Sequence, residues 1–247
     1  MDISSYVLLS QEQALKRRLD VVSNNMANTS TAGFRREQPV FHEQVENTRE
    51  ASVDDAKPVS FVLDYRPVHD TTSGAFEQTG NPLDAAINGP GYFAVQAADG
   101  TTAYTRAGYV RVSDSGDLVT SAGQKLLDEG GSPINIPAEQ VGELAMAKDG
   151  TISTKTGDIG RLAVTVFDDE ASVTPRGDGL MAAQNGRVLP ASETSLRTGG
   201  IEQSNVSPII ETTNMIDILR SYQNSIRMSE SMSDLRKTAI GRLSRIS

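Results

Sequence analysis

The sequence predicts a mixed, mainly β fold. An antiparallel β-rich middle domain is flanked by N- and C-terminal α-helices that pair as a coiled-coil-like module. Three observations predict it. Apolar residues near each end recur at the 4-3 spacing of a helical seam. Between residues 74 and 206, β-branched and aromatic runs alternate with glycine turns, the rhythm of a sandwich or barrel with turns roughly every 8–12 residues. The chain has 247 residues, 37% of them apolar, enough for a real hydrophobic core.

The N-terminal helix falls within residues 1–36. Leu8, Glu12, Leu15, Leu19, Val22 and Met26 follow the 4-3 spacing, and all but Glu12 are apolar. Gln11, Gln13, Lys16, Arg17, Arg18 and Asp20 leave the other faces suited to water. The Asn/Thr/Ser-rich stretch ending at Gly33 marks the helix end. Residues 37–73 are acidic, carry Pro39, Pro58 and Pro67, and read as an extended connector, since proline denies a sheet its hydrogen bond.

Residues 74–206 form the β-rich body. Residues 91–96 (GYFAVQ), 104–112 (YTRAGYVRV) and 162–167 (LAVTVF) read as strands. Asp99-Gly100, Asp149-Gly150 and Asn185-Gly186 read as hairpin turns in which glycine supplies a positive φ. Residues 74–79 (GAFEQT) echo residues 199–204 (GGIEQS). The two copies bracket the body, which suggests two equivalent strands lying side by side where the body closes.

The C-terminal helix occupies most of residues 207–247. Met215, Leu219, Tyr222 and Ile226 form one stripe; Met228, Met232, Leu235 and Ala239 form a second, rotated one. The last proline is Pro208, so a helix of roughly 30 residues can run on, far beyond the globular average. Ser225, Ser229 and Ser231 weaken its apolar face. A helix this long and narrow-striped needs a partner, and the matching helix at the other end of the chain is the first candidate.

Composition and charge remove several function classes. No apolar run reaches the roughly 18 residues of a membrane span, and the N-terminus lacks the basic start and apolar run of a cleaved secretory signal. Cysteine is absent, so disulfides and thiolate chemistry are excluded. His42 and His69 cannot supply a three-histidine metal site. Net charge is −9, but residues 1–36 carry +2, residues 216–247 carry +3 and the remainder −14. An acidic body disfavours nucleic acid as a partner.

Chemical motifs are sparse. Gly89-Pro90-Gly91 opens like a dinucleotide loop but lacks the third glycine, and Pro90 has no N–H for a phosphate. Asp168-Asp169-Glu170 reads as a solvated turn before it reads as a cation site. Arg176-Gly177-Asp178 is a tripeptide of adhesion ligands, set among turn residues. No pair of acids is singled out for hydrolysis. No catalytic residue, cofactor, metal or small-molecule substrate is expected. A secreted β-domain binding module and a hydrolase using an acidic pair are the readings that compete with a structural role.

Residues 20–34 (DVVSNNMANTSTAGF) resemble the N-terminal signature of the bacterial flagellar rod and hook proteins, in which a helix ends in S-N-N-hydrophobe-A-N-x-x-T-x-G-F. Ser23, Asn24, Asn25, Met26, Ala27, Asn28, Thr31, Gly33 and Phe34 match it. Residues 79–93 (TGNPLDAAINGPGYF) resemble a second block of the family, with Gly80, Asn81, Leu83, Asp84, Ile87, Gly89, Gly91 and Phe93 in place. Tyr104, Thr105, Arg106 and Gly108 resemble its Y-T-R-x-G, residues 116–123 its G-x-L-V-T-x-x-G, and residues 200–208 with Tyr222-Gln223 its S-N-V and Y-Q pattern. The matches run in order along nearly the whole chain.

The resemblance implies a structural subunit of the flagellar basal-body rod, with the terminal helices packing against neighbours to form the axial drive shaft of motility. It implies a place in the periplasm-spanning rod, and partners among other rod subunits, further copies of the chain and the flagellar type III export apparatus. It implies export without a cleaved signal. Chain length and departures at residues 11–18 and 220–221 favour the proximal-rod type over the distal-rod type. The helix residues expected to carry assembly are Leu8, Leu15, Leu19, Val22, Met26, Met215, Leu219, Tyr222, Ile226, Met228, Met232 and Leu235. Asn24, Asn25 and Asn28 are candidates for ending the first helix and fixing its exit.

Overall fold

The computed structural model describes residues 3–47, 58–64, 68–137, 139–140, 144–169 and 172–243. The chain divides into two compact units: Met1–Ala27, Glu37–Val68 and Ser207–Ser247 form one, Asn28–Arg36 and His69–Val206 the other.

The first unit holds both long helices. Helix α1 spans Ile3–Ala27 and helix α2 spans Pro208–Leu243. Pro208 opens α2, where its missing N–H costs nothing, and the Glu211 amide donates to the Ser207 carbonyl at 3.0 Å. The Ser and Thr residues of α2 do not break it. The hydroxyls of Thr212, Thr213, Ser221 and Ser231 each donate to the carbonyl four residues back. Leu15, Val22 and Ile218 form the buried seam, flanked by Leu19, Met215 and Tyr222.

Within the expected connector the structure forms an antiparallel hairpin, Phe41–Asn47 with Pro58–Asp64, paired from Phe41 opposite Asp64 to Asn47 opposite Pro58. Pro58 stands at the first position of its strand, where a lost N–H is tolerated, so it does not prevent pairing; Pro67 lies outside the described residues. The strand Pro58–Asp64 runs beside α1.

The second unit is a β body with a central nine-stranded sheet. Its main path runs through Thr174–Pro175, Met181–Ala182, Thr102–Thr105, Tyr92–Gln96, Lys125–Leu126, Leu118–Thr120 and Val110–Val112. Val164–Val166 pairs with Tyr92–Gln96 and with Arg187–Val188. A three-stranded sheet, Ala145–Met146, Thr151–Thr154 and Gly157–Arg161, stands beside it in the order of the chain. Phe93, Val95, Leu118, Leu126, Ile136, Ile152, Leu162, Val164 and Leu196 are almost wholly removed from water in one core. Burial on that scale, at about 25 cal/mol per Å² of apolar surface, is what holds a unit with no α-helix among its described residues.

Two of the three expected turns close hairpins. Asp99 and Asp149 each accept the amide two residues on at 3.0 Å, and the glycine after each takes a positive φ. Asn185-Gly186 differs. The left-handed residue is Asn185, at φ 61°, and the strands on either side pair with other partners. Gly186 is small for a different reason: a Cβ there would lie 2.4 Å from Thr165 Cγ2.

The echoed segments lie side by side. Phe76–Gln78 and Gly200–Glu202 form an antiparallel ribbon with Phe76 opposite Glu202, Glu77 opposite Ile201 and Gln78 opposite Gly200. Equivalent residues of the two copies are thereby related by a local two-fold relation, and the ribbon closes the body as its sequence suggested.

Candidate assembly site

In the helix unit the expected α1 stripe faces inward at Leu8, Leu15 and Val22, with Leu19 and Met26 half-buried. Val21, one position off that stripe, is also buried, so α1 is covered on a second side as well. On α2 the stripe differs from expectation. Met215 and Tyr222 pack in the seam, but its centre is Ile218, 3% exposed, whereas Leu219 is 39% exposed. The buried line is Glu211, Met215, Ile218, Tyr222 and Ser225, a 4-3-4-3 series whose polar members at both ends concealed it in the sequence. Ile226 and Met232 are half-buried.

The seam is imperfect. Glu12 Oε1 and Ser225 Oγ are buried without a hydrogen-bond partner among the described residues. Each such group costs about 1–3 kcal/mol, enough to make a short two-helix seam marginal.

More apolar surface points outward than the seam covers. On α2, Ile209 and Ile216 stand seven residues apart on one exposed face, while Met228 and Leu235 stand seven apart on another, with Ile210 on the same side. Met228 is 58% and Leu235 67% exposed, so among Met228, Met232 and Leu235 of the second stripe expected from the sequence only Met232 is half-buried, and the other two face outward. Tyr6 and Leu9 add exposed apolar surface on α1. A helix apolar on several sides is a helix meant to be enclosed.

At the end of α1, Asn25 is buried and pairs twice with the backbone of Glu37, accepting its amide at 2.8 Å and donating to its carbonyl at 2.9 Å. That bidentate bond fixes the chain on its return into the helix unit. Asn24 is exposed on the last turns of the helix, and Ala27 is exposed beside it. Asn28 Oδ1 accepts the Thr31 hydroxyl at 3.1 Å, and the amides of Thr31 and Phe34 continue the turn.

The remaining motif residues meet in the β body. Arg106, 3% exposed, donates from Nε to Glu202 Oε2 at 2.8 Å, and its Nη2 lies 2.7 Å from the same oxygen. Its other donors reach the carbonyls of Ile87, Gly89 and Gly91. The Gly-Pro-Gly segment therefore turns carbonyls toward a buried cation, the opposite of a phosphate loop. Burial, and then the nearby Arg35 charge, pull the Arg106 pKa below its ordinary value, while Glu202 pushes it back up. Arg35 lies over the Tyr92 ring, its Cζ 5.5 Å from the centroid.

Around this ion pair the chain is stitched together. The Gly33 amide donates to the Glu202 carbonyl at 2.8 Å, and the Gly74 amide to Glu202 Oε1 at 3.0 Å. Gly33 takes φ +70°, and a Cβ there would stand 2.4 Å from the Arg106 carbonyl carbon. A Cβ at Gly108 would stand 1.7 Å from the Ala85 oxygen, so two motif glycines are contact points between motif segments. Asn205 Oδ1 accepts the Arg36 amide at 2.7 Å, while Nδ2 donates to the carbonyls of Asp70 and Thr72 at 3.2 and 2.9 Å. The Asp70 amide in turn donates to the Arg36 carbonyl at 2.8 Å.

Asp84 and Asn81 brace the end strand Val110–Val112. Asp84 Oδ1 accepts the Val110 amide at 3.1 Å and Asn81 Nδ2 at 2.9 Å, Asp84 Oδ2 accepts the Thr79 hydroxyl at 2.6 Å, and Asn81 Nδ2 also donates to the Val110 carbonyl. Gly80 is exposed at φ +79°. Leu83, Ile87 and Phe93 belong to the core, Tyr104 stacks edge-on against Phe167 at 4.9 Å, and Thr105 Oγ1 accepts the Ala107 amide. Glu202 and Asn205 fall inside the 200–208 pattern, where neither residue type by itself marks a buried site. Arg35 gave no signal beyond being one of two adjacent arginines.

The competing chemical readings find little. Arg176 of the Arg-Gly-Asp tripeptide is held by Asp99, Thr101 and its own Asp178. Among the described residues no group of His, Asp and Glu is arranged to hold a metal ion; Glu170 lies outside those residues. No helix among the described residues is long and apolar enough to cross a membrane.

Three family models match the chain. They are the flagella basal body rod protein family over residues 6–35, the D1 domain of the flagellar hook protein FlgE/F/G over 86–154, and the C-terminal region of the flagellar basal body rod FlgEFG proteins over 197–242. The flagellar basal-body rod protein FlgF of Caulobacter vibrioides is 37% identical over 248 residues, covering 100% of both chains. FlgF of Mesorhizobium japonicum is 32% identical, covering 95% of this chain and 96% of its own. The rod protein FlgG of Buchnera aphidicola from Schizaphis graminum is 33% identical, covering 87% and 90%.

Proposed function

On the premise that the chain belongs to the flagellar basal-body rod family and is a structural subunit of that rod, we propose that it assembles through the outward faces of α1 and α2, at a proximal-rod position. Full-length similarity to FlgF relatives supports that position. The observation that carries the assembly reading is the apolar character of α2 on three sides when only one is covered: Ile209 with Ile216, and Met228 with Leu235, stand exposed away from the Ile218 seam. Covering one such aliphatic side chain contributes roughly 1.5–3 kcal/mol before entropic costs. A few of them in each neighbour contact suffice to drive stacking of subunits.

The partners under this reading are other rod subunits and further copies of the chain, with the type III export apparatus handling the chain before assembly and no cleaved signal required. The polar atoms buried in the seam suit such a route, because a marginal helix pair is easily unfolded for passage and gains its stability from neighbours. The reading includes no catalytic step, nucleic acid, membrane insertion or small-molecule substrate. The adhesion reading has lost its motive, since the Arg176 guanidinium is bonded internally.

Paired substitution Ile216→Asp and Leu235→Asp tests the assembly faces. Both side chains are exposed, so the isolated subunit should melt within about 0.5 kcal/mol of the parent, while swimming in a host lacking its own copy should be lost. Undiminished swimming would remove these faces from the interface.

A further inference from the structure

We infer that Asn205 is a positioning residue that gathers, at one point of the body, the segments through which the chain passes between its two units. The inference rests on the rod-subunit reading and goes beyond it. The chain passes from one unit to the other four times in sequence, after residues 27, 36, 68 and 206. The body segments at those passages are 28–36, the stretch from 69 onward, and the stretch ending at 206.

One side chain bonds all of them together. Asn205 accepts from the Arg36 amide through Oδ1 and donates through Nδ2 to the carbonyls of Asp70 and Thr72, while its own amide donates to the Phe34 carbonyl at 3.3 Å. The Asp70–Arg36 backbone bond closes the ring of segments. An amide side chain is required here, because one atom must accept and the other must donate to two carbonyls. Three residues earlier in the same stretch, Glu202 is fixed to the core by the buried Arg106 and receives the Gly33 amide. Force carried along the chain from α2 enters the body beside Asn205, and force from α1 enters through the 28–36 segment that Asn205 holds at Phe34 and Arg36, with the Arg106–Glu202 ion pair anchoring the chain three residues before Asn205. A drive-shaft subunit needs such a fixed entry, since a loose one would let torsion be taken up by backbone rotation instead of being passed on.

The test uses the full chain with Asn205→Ala and Asn205→Asp. The first removes both functions of the amide; the second keeps an acceptor for Arg36 and turns a carboxylate oxygen toward two carbonyls. Amide exchange in the isolated subunit should quicken at Arg36 by about tenfold or more in the alanine variant, the change expected for one lost hydrogen bond. The Val95 and Leu118 amides of the core should not change. In a host lacking its own copy, the parent chain should restore swimming, and both variants should assemble yet swim poorly.

Full swimming by the variants beside a competent parent overturns the inference and leaves the rod reading intact. Unchanged exchange at Arg36 overturns it, as does equal acceleration in the core, which would make Asn205 an ordinary stabiliser of the body. Failure of the parent chain itself to restore swimming overturns both readings.

Discussion

The two units bury apolar surface in opposite ways. The β body hides most of its large residues in one main core, with Leu118, Leu126, Val95 and Ile152 fully enclosed, and it pairs the buried Arg106 with Glu202, although both ring nitrogens of His69 are buried there without a hydrogen-bond partner among the described residues. The helix unit has a seam six side chains wide, leaves polar atoms of Glu12 and Ser225 inside it, and presents Ile209, Ile216, Met228 and Leu235 to solvent. Unsatisfied polar atoms occur in both units, so the difference lies in the apolar surface, which the body encloses and the helices leave outward. Physical chemistry makes that a division of labour: a core that closes on itself is stable alone, whereas a helix pair with several apolar faces gains most from what surrounds it.

That contrast can be broken first at the body's ion pair. Arg106→Met should cost about 3–5 kcal/mol, because it leaves Glu202 buried without its cation. Urea unfolding followed by tyrosine fluorescence measures it, and a loss under 1 kcal/mol would mean the pair is incidental to the body. A smaller effect is expected at the helix seam. Ile218→Ala should cost about 2 kcal/mol, at the low end for buried isoleucine because few neighbours surround it, and hydrogen exchange should locate the loss in α1 and α2 alone. Spread of that loss into the body strands would show that the units unfold together.

The smallest effect sharpens the contrast by pH. Hydrogen bonds from Thr101 hold the Asp99 carboxyl down to about 2, and those from Thr72 and Thr151 lower Asp70 and Asp149. The Lys125 ammonium, ahead of Asn135, lowers Asp117. All four lie in the body. Folded pKa values below the unfolded 3.8 stabilise above that pH, and the contribution disappears as pH falls from about 4 toward about 2. The body's melting temperature should therefore fall modestly over that window, and a flat profile would deny these turns any role in stability.

Much of this was legible in the sequence, for identifiable reasons. The 4-3 spacing on α1 and the Asp-Gly turns are local signals, and local signals survive without a structure. The echo of residues 74–79 in 199–204 disclosed a long-range strand pair, because equivalent strands closing on one another leave similar sequences. The hairpin at Phe41–Asn47 was hidden by prolines whose cost depends on which position of a strand they occupy. The centre of the α2 seam was missed because Glu211 and Ser225 interrupt its apolar pattern. Asn205 could not be chosen from sequence, since its partners lie 133 to 169 residues away and only the fold brings them together.

The ribbon of Phe76–Gln78 and Gly200–Glu202 has an architectural consequence. It works as the mouth of a drawstring bag: everything between residues 78 and 200 is content gathered at one neck. Material can be added at an outlying exposed bend such as Ala122-Gly123, where a Cβ added at the glycine would meet nothing within 4 Å, without moving the neck itself. Ancestors of such a chain could thus change the bulk of the body through many generations while the emerging ends kept their spacing.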